Sequence, residues 1–367
     1  MSNPATDSIF ILLPPFICLA VIALFPATFQ NNSEMALAGW IVLILLIDVG
    51  HVYSTLYRTY FDNQAIKRQA FLLYFTPFAA FIICAVLYSV SPLWFWRLLT
   101  YAAVFHFVRQ QYGFMRLYSR YESKTGFVPQ LEKGMIYAGS IYPLLYWHLN
   151  GPRNFNWFIK DDFFYLDAGW LLYFITPVYI CLIAVYVYVL LKVYLKERIF
   201  NLPKFAIIAG TAVSWYFGIV YFNGDMAFTL LNVVSHGIPY MALVWIHGNK
   251  QRMKTSSGRF LSYVFSRKGL VIFILVLCAF AFLEEFLWDI FVWDEHRSVF
   301  GGNYFSNFRL NKEAMSILVP LLTLPQLTHY ILDGFIWKIR KDEIKWNNEA
   351  DRPLAEDVAM GLSENGK

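Results

Sequence analysis

The chain is dominated by long runs of apolar residues, separated by short polar segments. An apolar stretch of about 18 residues or more predicts a helix that crosses a membrane. Because hydrocarbon offers the backbone no hydrogen-bond partner, each such span must be helical. The pattern therefore predicts an all-α, polytopic integral membrane helical bundle with about ten transmembrane helices. We expect them near residues 9–29, 36–57, 70–90, 92–115, 134–150, 169–191, 204–222, 226–247, 270–292 and 314–337.

Positive charges fall into alternate loops between these spans, and this alternation predicts the orientation. The loop at 248–269 carries six Lys or Arg residues and no acid, whereas the loop at 223–225 carries neither Lys nor Arg. Lys and Arg collect on the cytoplasmic side of membrane proteins, so we expect both the N- and C-termini in the cytoplasm. We expect residues 1–340 to form a single transmembrane domain and residues 341–367 a polar, mobile cytoplasmic tail.

Composition excludes several classes of protein. The chain is 58% hydrophobic and 15% charged, whereas a soluble chain is nearer ~25% charged. A soluble globule of this composition would expose large apolar patches, which excludes a soluble enzyme, a disordered linker or a disulfide scaffold. The net charge of +5 lies in the basic loops and predicts contact with anionic lipids on the cytoplasmic face. The basic residues are spread over separate loops without interleaved aromatic residues, so we expect no nucleic-acid partner.

Polar residues inside the predicted spans carry the functional signal, because an ionisable group in a membrane is costly and often functional. Four spans each contain a histidine with a carboxylate or amide three or four positions away. This spacing places both side chains on one face of a helix. The groups are Asp48 with His51, His106 with Gln110, Asn232 with His236, and Gln326 and Asp333 with His329.

The four histidines also share a predicted depth. They lie seven to fourteen residues from the basic cytoplasmic ends of their spans, which corresponds to about 10–21 Å. All four spans run in the same direction, so the imidazoles converge if these helices are neighbours. We predict a metal site with His51, His106, His236 and His329 as ligands, and with Asp48 and Asp333 completing or supporting the ligand set. The alternative is that each histidine bridges two helices by hydrogen bonds.

Further residues are assigned roles around this predicted site. Iron is the favoured metal, with zinc or copper as alternatives, since imidazole binds all three. Asp48, Asp333 and Arg109 are the candidate catalytic residues. We expect Arg109 to be buried beside His106, where it would pair with a carboxylate or hold a substrate headgroup. Three amides are expected to contact substrate or orient the ligands: Gln110, Asn232 and Gln326.

Three functions remain open. The preferred one is a non-haem, iron-type oxidoreductase that acts on a lipid-soluble substrate with an electron donor as a further partner, because apolar surroundings protect a reactive intermediate from water. The second is a zinc-dependent intramembrane lipid or amide hydrolase with Asp48 or Asp333 as the base. The third is an ion- or proton-coupled transporter or a non-catalytic membrane component. The HxxxH and HxxHH boxes of membrane desaturases are absent, since no two histidines lie within four residues of each other.

Overall fold

The computed structural model describes residues 3–30, 34–252, 258–301 and 310–337, and every regular element within these ranges is helical. The all-α class is therefore confirmed for the described part of the chain. The main helices are α1 (Pro4–Leu12), α2 (Pro14–Leu24), α3 (Leu37–Arg58), α4 (Asn63–Val90), α5 (Pro92–Tyr118), α6 (Phe127–Leu149), α7 (Gly169–Glu197), α8 (Leu202–Tyr221), α9 (Asp225–Arg252), α10 (Arg267–Trp293) and α11 (Lys312–Ile336). Shorter helical segments cover Pro26–Phe29, Arg259–Val264 and Arg297–Phe300.

Seven helices of the described ranges are long and apolar enough to cross a membrane, namely α3, α4, α7, α8, α9, α10 and α11. Helices α1 and α2 are bent by 55° against each other and make an eighth span if they are counted together. Helices α5 and α6 lie where the sequence predicts two more spans, but they are not among the seven. Both helices contain charged residues, including Arg97 and Arg109 on α5 and Glu132 and Lys133 on α6. The count of about ten and the orientation of the termini stay predictions.

The outer helices of the bundle present apolar side chains outward. On α4 and α7, Phe71 is 75% exposed and Tyr173 is 81% exposed. Such a surface would aggregate in water and is typical of a face that contacts lipid. Helix α9 is the opposite case, because 72% of its most apolar stretch is buried inside the protein. Helix α9 is thus a central element around which the site is built.

Helix α5 is fixed by aromatic packing on two sides. On one side it packs with α6, α8, α9 and the loop 150–168 in a buried cluster that contains Val104, Phe107, Val108, Trp147, Phe155, Phe163, Trp215, Ile219 and Phe228. On the other side it packs with α4, α10 and α11 through Cys84, Phe95, Trp96, Leu99, Trp288, Val319 and Leu322. Packing on both sides sets the rotation of α5 about its axis, and with it the direction of the residues between the two clusters.

A close approach of α9 to α3 depends on Gly237. A Cβ atom at this position would lie 2.9 Å from Ile47 Cγ2 and 3.1 Å from the Ile47 carbonyl oxygen. Small residues at helix interfaces in membranes let two backbones approach in this way. Gly237 follows His236 directly, so this contact brings the histidine of α9 next to the histidine of α3.

The chain forms two compact units, Met1–Leu332 and Asp333–Lys367. The first unit contains the four histidines of the predicted site. In the second unit the structure describes residues 333–337, where Asp333 is half-buried. The predicted tail, residues 341–367, lies outside the described residues.

Candidate metal centre

The side chains of His51, His106, His236 and His329 meet inside the bundle. Each is at most 4% exposed, and one ring nitrogen of each lies within 4.8 Å of those of the other three. The rings follow one another around the site with centroid separations of 4.7, 4.9, 4.5 and 5.1 Å, in the order 51, 236, 106, 329 and back to 51. The convergence expected from their common depth is present in the structure.

These separations fit a metal ion with small adjustments. Ring nitrogens bind ions such as zinc at about 2.0–2.1 Å. If every separation between the four nitrogens were at the 4.8 Å limit, a point equidistant from all of them would lie about 3 Å from each, so inward shifts of about 1 Å or less would reach bonding distance. The four histidines therefore could hold a metal ion.

Two of the histidines are oriented by a hydrogen bond at one ring nitrogen. Nδ1 of His329 lies 2.7 Å from the hydroxyl of Thr55, which in turn lies 2.9 Å from the hydroxyl of Tyr240. Nδ1 of His51 lies 3.3 Å from the carbonyl oxygen of Ile47, and its Nε2 has no hydrogen-bond partner within the described chain. Histidines that bind metals are typically held in this way, with the second ring nitrogen bonded to a hydroxyl, carbonyl or carboxylate.

His236 gives the strongest indication of a ligand. It is 1% exposed, and neither of its ring nitrogens has a hydrogen-bond partner among the described residues. Its ring stacks on Phe107, with centroids 3.6 Å apart and planes at 9°. A buried polar atom without a partner costs about 1–3 kcal/mol, and coordination of an ion would remove that cost for one ring nitrogen.

Helix α5 also holds the backbone of α9 at this histidine. Pro239 has no N–H group, so the carbonyl of Ser235, four residues earlier, loses its usual helical partner. The side-chain amide of Gln111 donates to this carbonyl at 3.1 Å, and that of Gln110 donates to the carbonyl of His236 at 2.8 Å. Gln110 therefore contacts the backbone of a candidate ligand, and its expected role in substrate contact or ligand orientation stays a prediction.

A cavity of about 1050 Å³ lies beside the histidines. Three residues of its wall also contact the site. Asp48 lies 3.7 Å from Nδ1 of His51, Phe107 stacks on His236, and Tyr330 stacks on His106 with ring centroids 4.9 Å apart. The cavity thus reaches the residues that pack directly against the imidazoles, and its volume suits a substrate of small-molecule size.

Three of the other predicted site residues line the cavity. Asn232 and Gln326 line the cavity, and the amide of Asn232 also donates to the carbonyl of Phe228 at 2.9 Å. Asp48 lines it as well and lies within a π-helical stretch, Trp40–Val49, a rare conformation that often occurs at functional sites. Asp333 belongs to the second unit, so its role as a ligand or catalytic residue stays a prediction.

The expectation that Arg109 is buried beside His106 was wrong. Its side chain is exposed, donates a hydrogen bond to the Tyr137 hydroxyl at 2.9 Å and lies over the ring of Tyr112 at 5.1 Å. The observed partners of Arg109 are therefore residues of α5 and α6 rather than a carboxylate, and its catalytic role stays a prediction.

Two acids near the cavity take different positions. Glu284 is buried and accepts hydrogen bonds from the Tyr53 hydroxyl at 2.6 Å and from Trp288 Nε1 at 3.4 Å. It therefore joins α10 to α3 as a packing residue. Its neighbour Glu285 lines the cavity, where its carboxylate can contact a bound molecule or ion.

The loop between α6 and α7 closes part of the cavity wall and is fixed by Asp162. One carboxylate oxygen of Asp162 accepts backbone N–H bonds from Trp157, Phe158 and Ile159 at 2.6–3.1 Å. Burial raises the pKa of Asp162, while these N–H groups act in the opposite direction. The three residues that it holds all line the cavity.

Comparison of the chain with protein-family models, with curated proteins and with solved structures found no match. The fold and the site together define a helical protein with membrane-length spans and a buried four-histidine group that could hold a metal ion.

Proposed function

We propose that this protein is a metal-dependent membrane oxidoreductase with non-haem iron at the four-histidine site and a lipid-soluble substrate. The observation that carries the proposal is the meeting of His51, His106, His236 and His329 at one buried point. Four neutral imidazoles suit iron and copper redox chemistry. The four histidines would each hold the iron through one ring nitrogen, and the iron would supply redox chemistry beside the cavity.

The cavity supports the substrate part of the proposal. Its wall contains Phe107 and Tyr330 directly beside the histidines, and Trp96 and Trp288 further away. Next to the histidines, Phe107 and Tyr330 would bind an apolar part of a substrate and exclude water from a reactive intermediate. The sequence has no dinucleotide-binding or haem-attachment motif, so electrons that the reaction consumes would come from a separate donor.

A zinc-dependent hydrolase is the second candidate, and the position of Asp48 favours it. This carboxylate lines the cavity and lies 3.7 Å from Nδ1 of His51. A base at that place could take a proton from a metal-bound water, whose pKa a zinc ion lowers to about 7. The same side chain serves the oxidoreductase by orienting His51.

The metal itself separates these functions. We would purify the full-length protein without affinity tags that contain histidine and measure its metal content and the oxidation of bound iron(II) by dioxygen. About one iron per chain that changes oxidation state supports the oxidoreductase. One redox-silent zinc per chain supports the hydrolase. Protein without any metal, even after incubation with iron(II) or zinc, would overturn both and favour a transporter or a non-catalytic component.

We also propose the full topology that the sequence predicts, with ten spans and both termini in the cytoplasm. In this arrangement α1 and α2 form one bent span, and α5 and α6 cross the membrane although their mean hydropathy is lower. The burial of His106 and of Glu132 supports this, because each lies on the inner face of its helix. The basic loops would then contact anionic lipids on the cytoplasmic face.

A further inference from the structure

The cavity follows α9 from the beginning of this helix to Asn232, one turn before the candidate ligand His236. Asp225, Thr229 and Asn232 line it from one face of α9, and His236 follows Asn232 by one turn. Eleven residues separate Asp225 from His236, a distance of about 16 Å along an α-helix. The cavity is therefore a passage about two helical turns long, from Asp225 to Asn232, which ends one turn short of His236 at residues that pack on the imidazoles.

The wall of this passage is strongly acidic. Six carboxylates line it, and Lys160 is its one lysine or arginine within the described ranges. The six are Glu34, Asp48, Asp225, Glu285, Asp289 and Glu295. A cleft lined by charges of one sign and by walls of low polarity concentrates their field and raises the local concentration of counter-ions. The passage therefore attracts cations.

The opposite ends of the same helices carry the opposite charge. Arg58 follows His51 by seven residues on α3, and Lys250 follows His236 by fourteen residues on α9. A cation that approached the histidines from this end would be repelled. The charge distribution thus favours one direction of entry, through the acidic passage.

An independent observation in the passage also indicates a cation. The side chain of Asn232 is 3% exposed, lines the cavity, and its amide oxygen has no hydrogen-bond partner among the described residues. Amide and carboxylate oxygens are ligands of divalent cations. Asp48 comes next, since it lines the cavity and also contacts His51.

We propose that this passage is the route by which a divalent metal ion enters the four-histidine site, with Asp48 as the last carboxylate before His51. The inference rests on the metal site of the proposed function and adds the path and the direction of loading. Oxygen atoms along the wall would replace waters of the ion one after another, and the histidine nitrogens would then bind it more tightly than the carboxylates do.

The rate of metal loading tests the route. Full-length protein in lipid nanodiscs would be stripped with a chelator and mixed with Co²⁺, whose visible absorption reports coordination by nitrogen. We expect the wild-type rate to fall steeply with salt. Glu34→Gln and Glu295→Gln, which both change lining residues of the passage, should each slow loading at low salt by about fourfold, from the Coulomb energy of one charge and one dication about 10 Å apart in water. The final absorption should equal that of the wild type.

Glu197→Gln is the matched control, because this exposed acid lies at the end of α7 away from the passage and its removal should leave the rate unchanged. If both passage variants load at the wild-type rate, or if the wild-type rate is independent of salt, the route is refuted while the metal site stands. If the wild type never acquires the Co²⁺ absorption, the metal site and the route are refuted together.

Discussion

Replacement of Thr55 by valine tests whether the histidines are arranged as metal ligands. The hydroxyl of Thr55 is buried and lies 2.7 Å from Nδ1 of His329 and 2.9 Å from the hydroxyl of Tyr240. Valine has nearly the same shape and removes only this hydroxyl. If His329 binds a metal, loss of the group that orients its ring should weaken metal binding by about 10–100-fold, equivalent to about 1.4–2.7 kcal/mol.

The assay is competition for iron(II) or zinc against a chelator of known affinity, together with thermal unfolding of the metal-free protein. Thr211→Val is the matched control, since Thr211 is equally buried but its hydroxyl donates to the Ile207 carbonyl of its own helix at 2.8 Å. We expect both variants to lose about 1 kcal/mol of stability and only Thr55→Val to lose metal affinity. Equal metal affinity in both variants would refute the orienting role of Thr55.

Three further predictions follow from the packing around the site. Asp48→Asn should lower metal affinity by about 10–100-fold without unfolding the protein, as measured by the same competition. Gly237→Ala should lower both the Tm and the metal content, because its Cβ would meet Ile47 at 2.9 Å, whereas Gly134→Ala, with nothing within 4 Å, should not. Single cysteines in the loop at 150–168 and in the loop at 258–266 should react with impermeant reagents from opposite sides of the membrane; reaction from the same side would contradict the ten-span topology.

The helical class and the identity of the converging histidines could be predicted from the sequence because both depend on simple periodicities. Apolar runs predict the helices. The distance from the basic ends of the spans predicts a similar depth for four histidines, namely His51, His106, His236 and His329. Thr55 could also have been found, since it follows His51 by four residues and shares its helix face.

The remaining features depend on contacts between helices, which no periodicity encodes. Arg109 follows His106 by three residues and was expected to turn inward, but the hydroxyl of Tyr137 on α6 holds it outside. Gln111 bonds the carbonyl that Pro239 leaves without a partner, and this match becomes visible only once α5 and α9 are placed side by side. The acidic passage likewise combines residues from several helices and a loop.

Bound metal in single histidine variants tests the central claim most directly. His51→Ala, His106→Ala, His236→Ala and His329→Ala would each be compared with His148→Ala, whose ring is held by the Leu144 carbonyl and the Tyr101 hydroxyl away from the site. We predict about one metal ion per chain in the wild type and in His148→Ala, and loss of most of it in each of the other four. Equal metal content in all five variants, or none in the wild type after metal loading, would contradict the four-histidine centre.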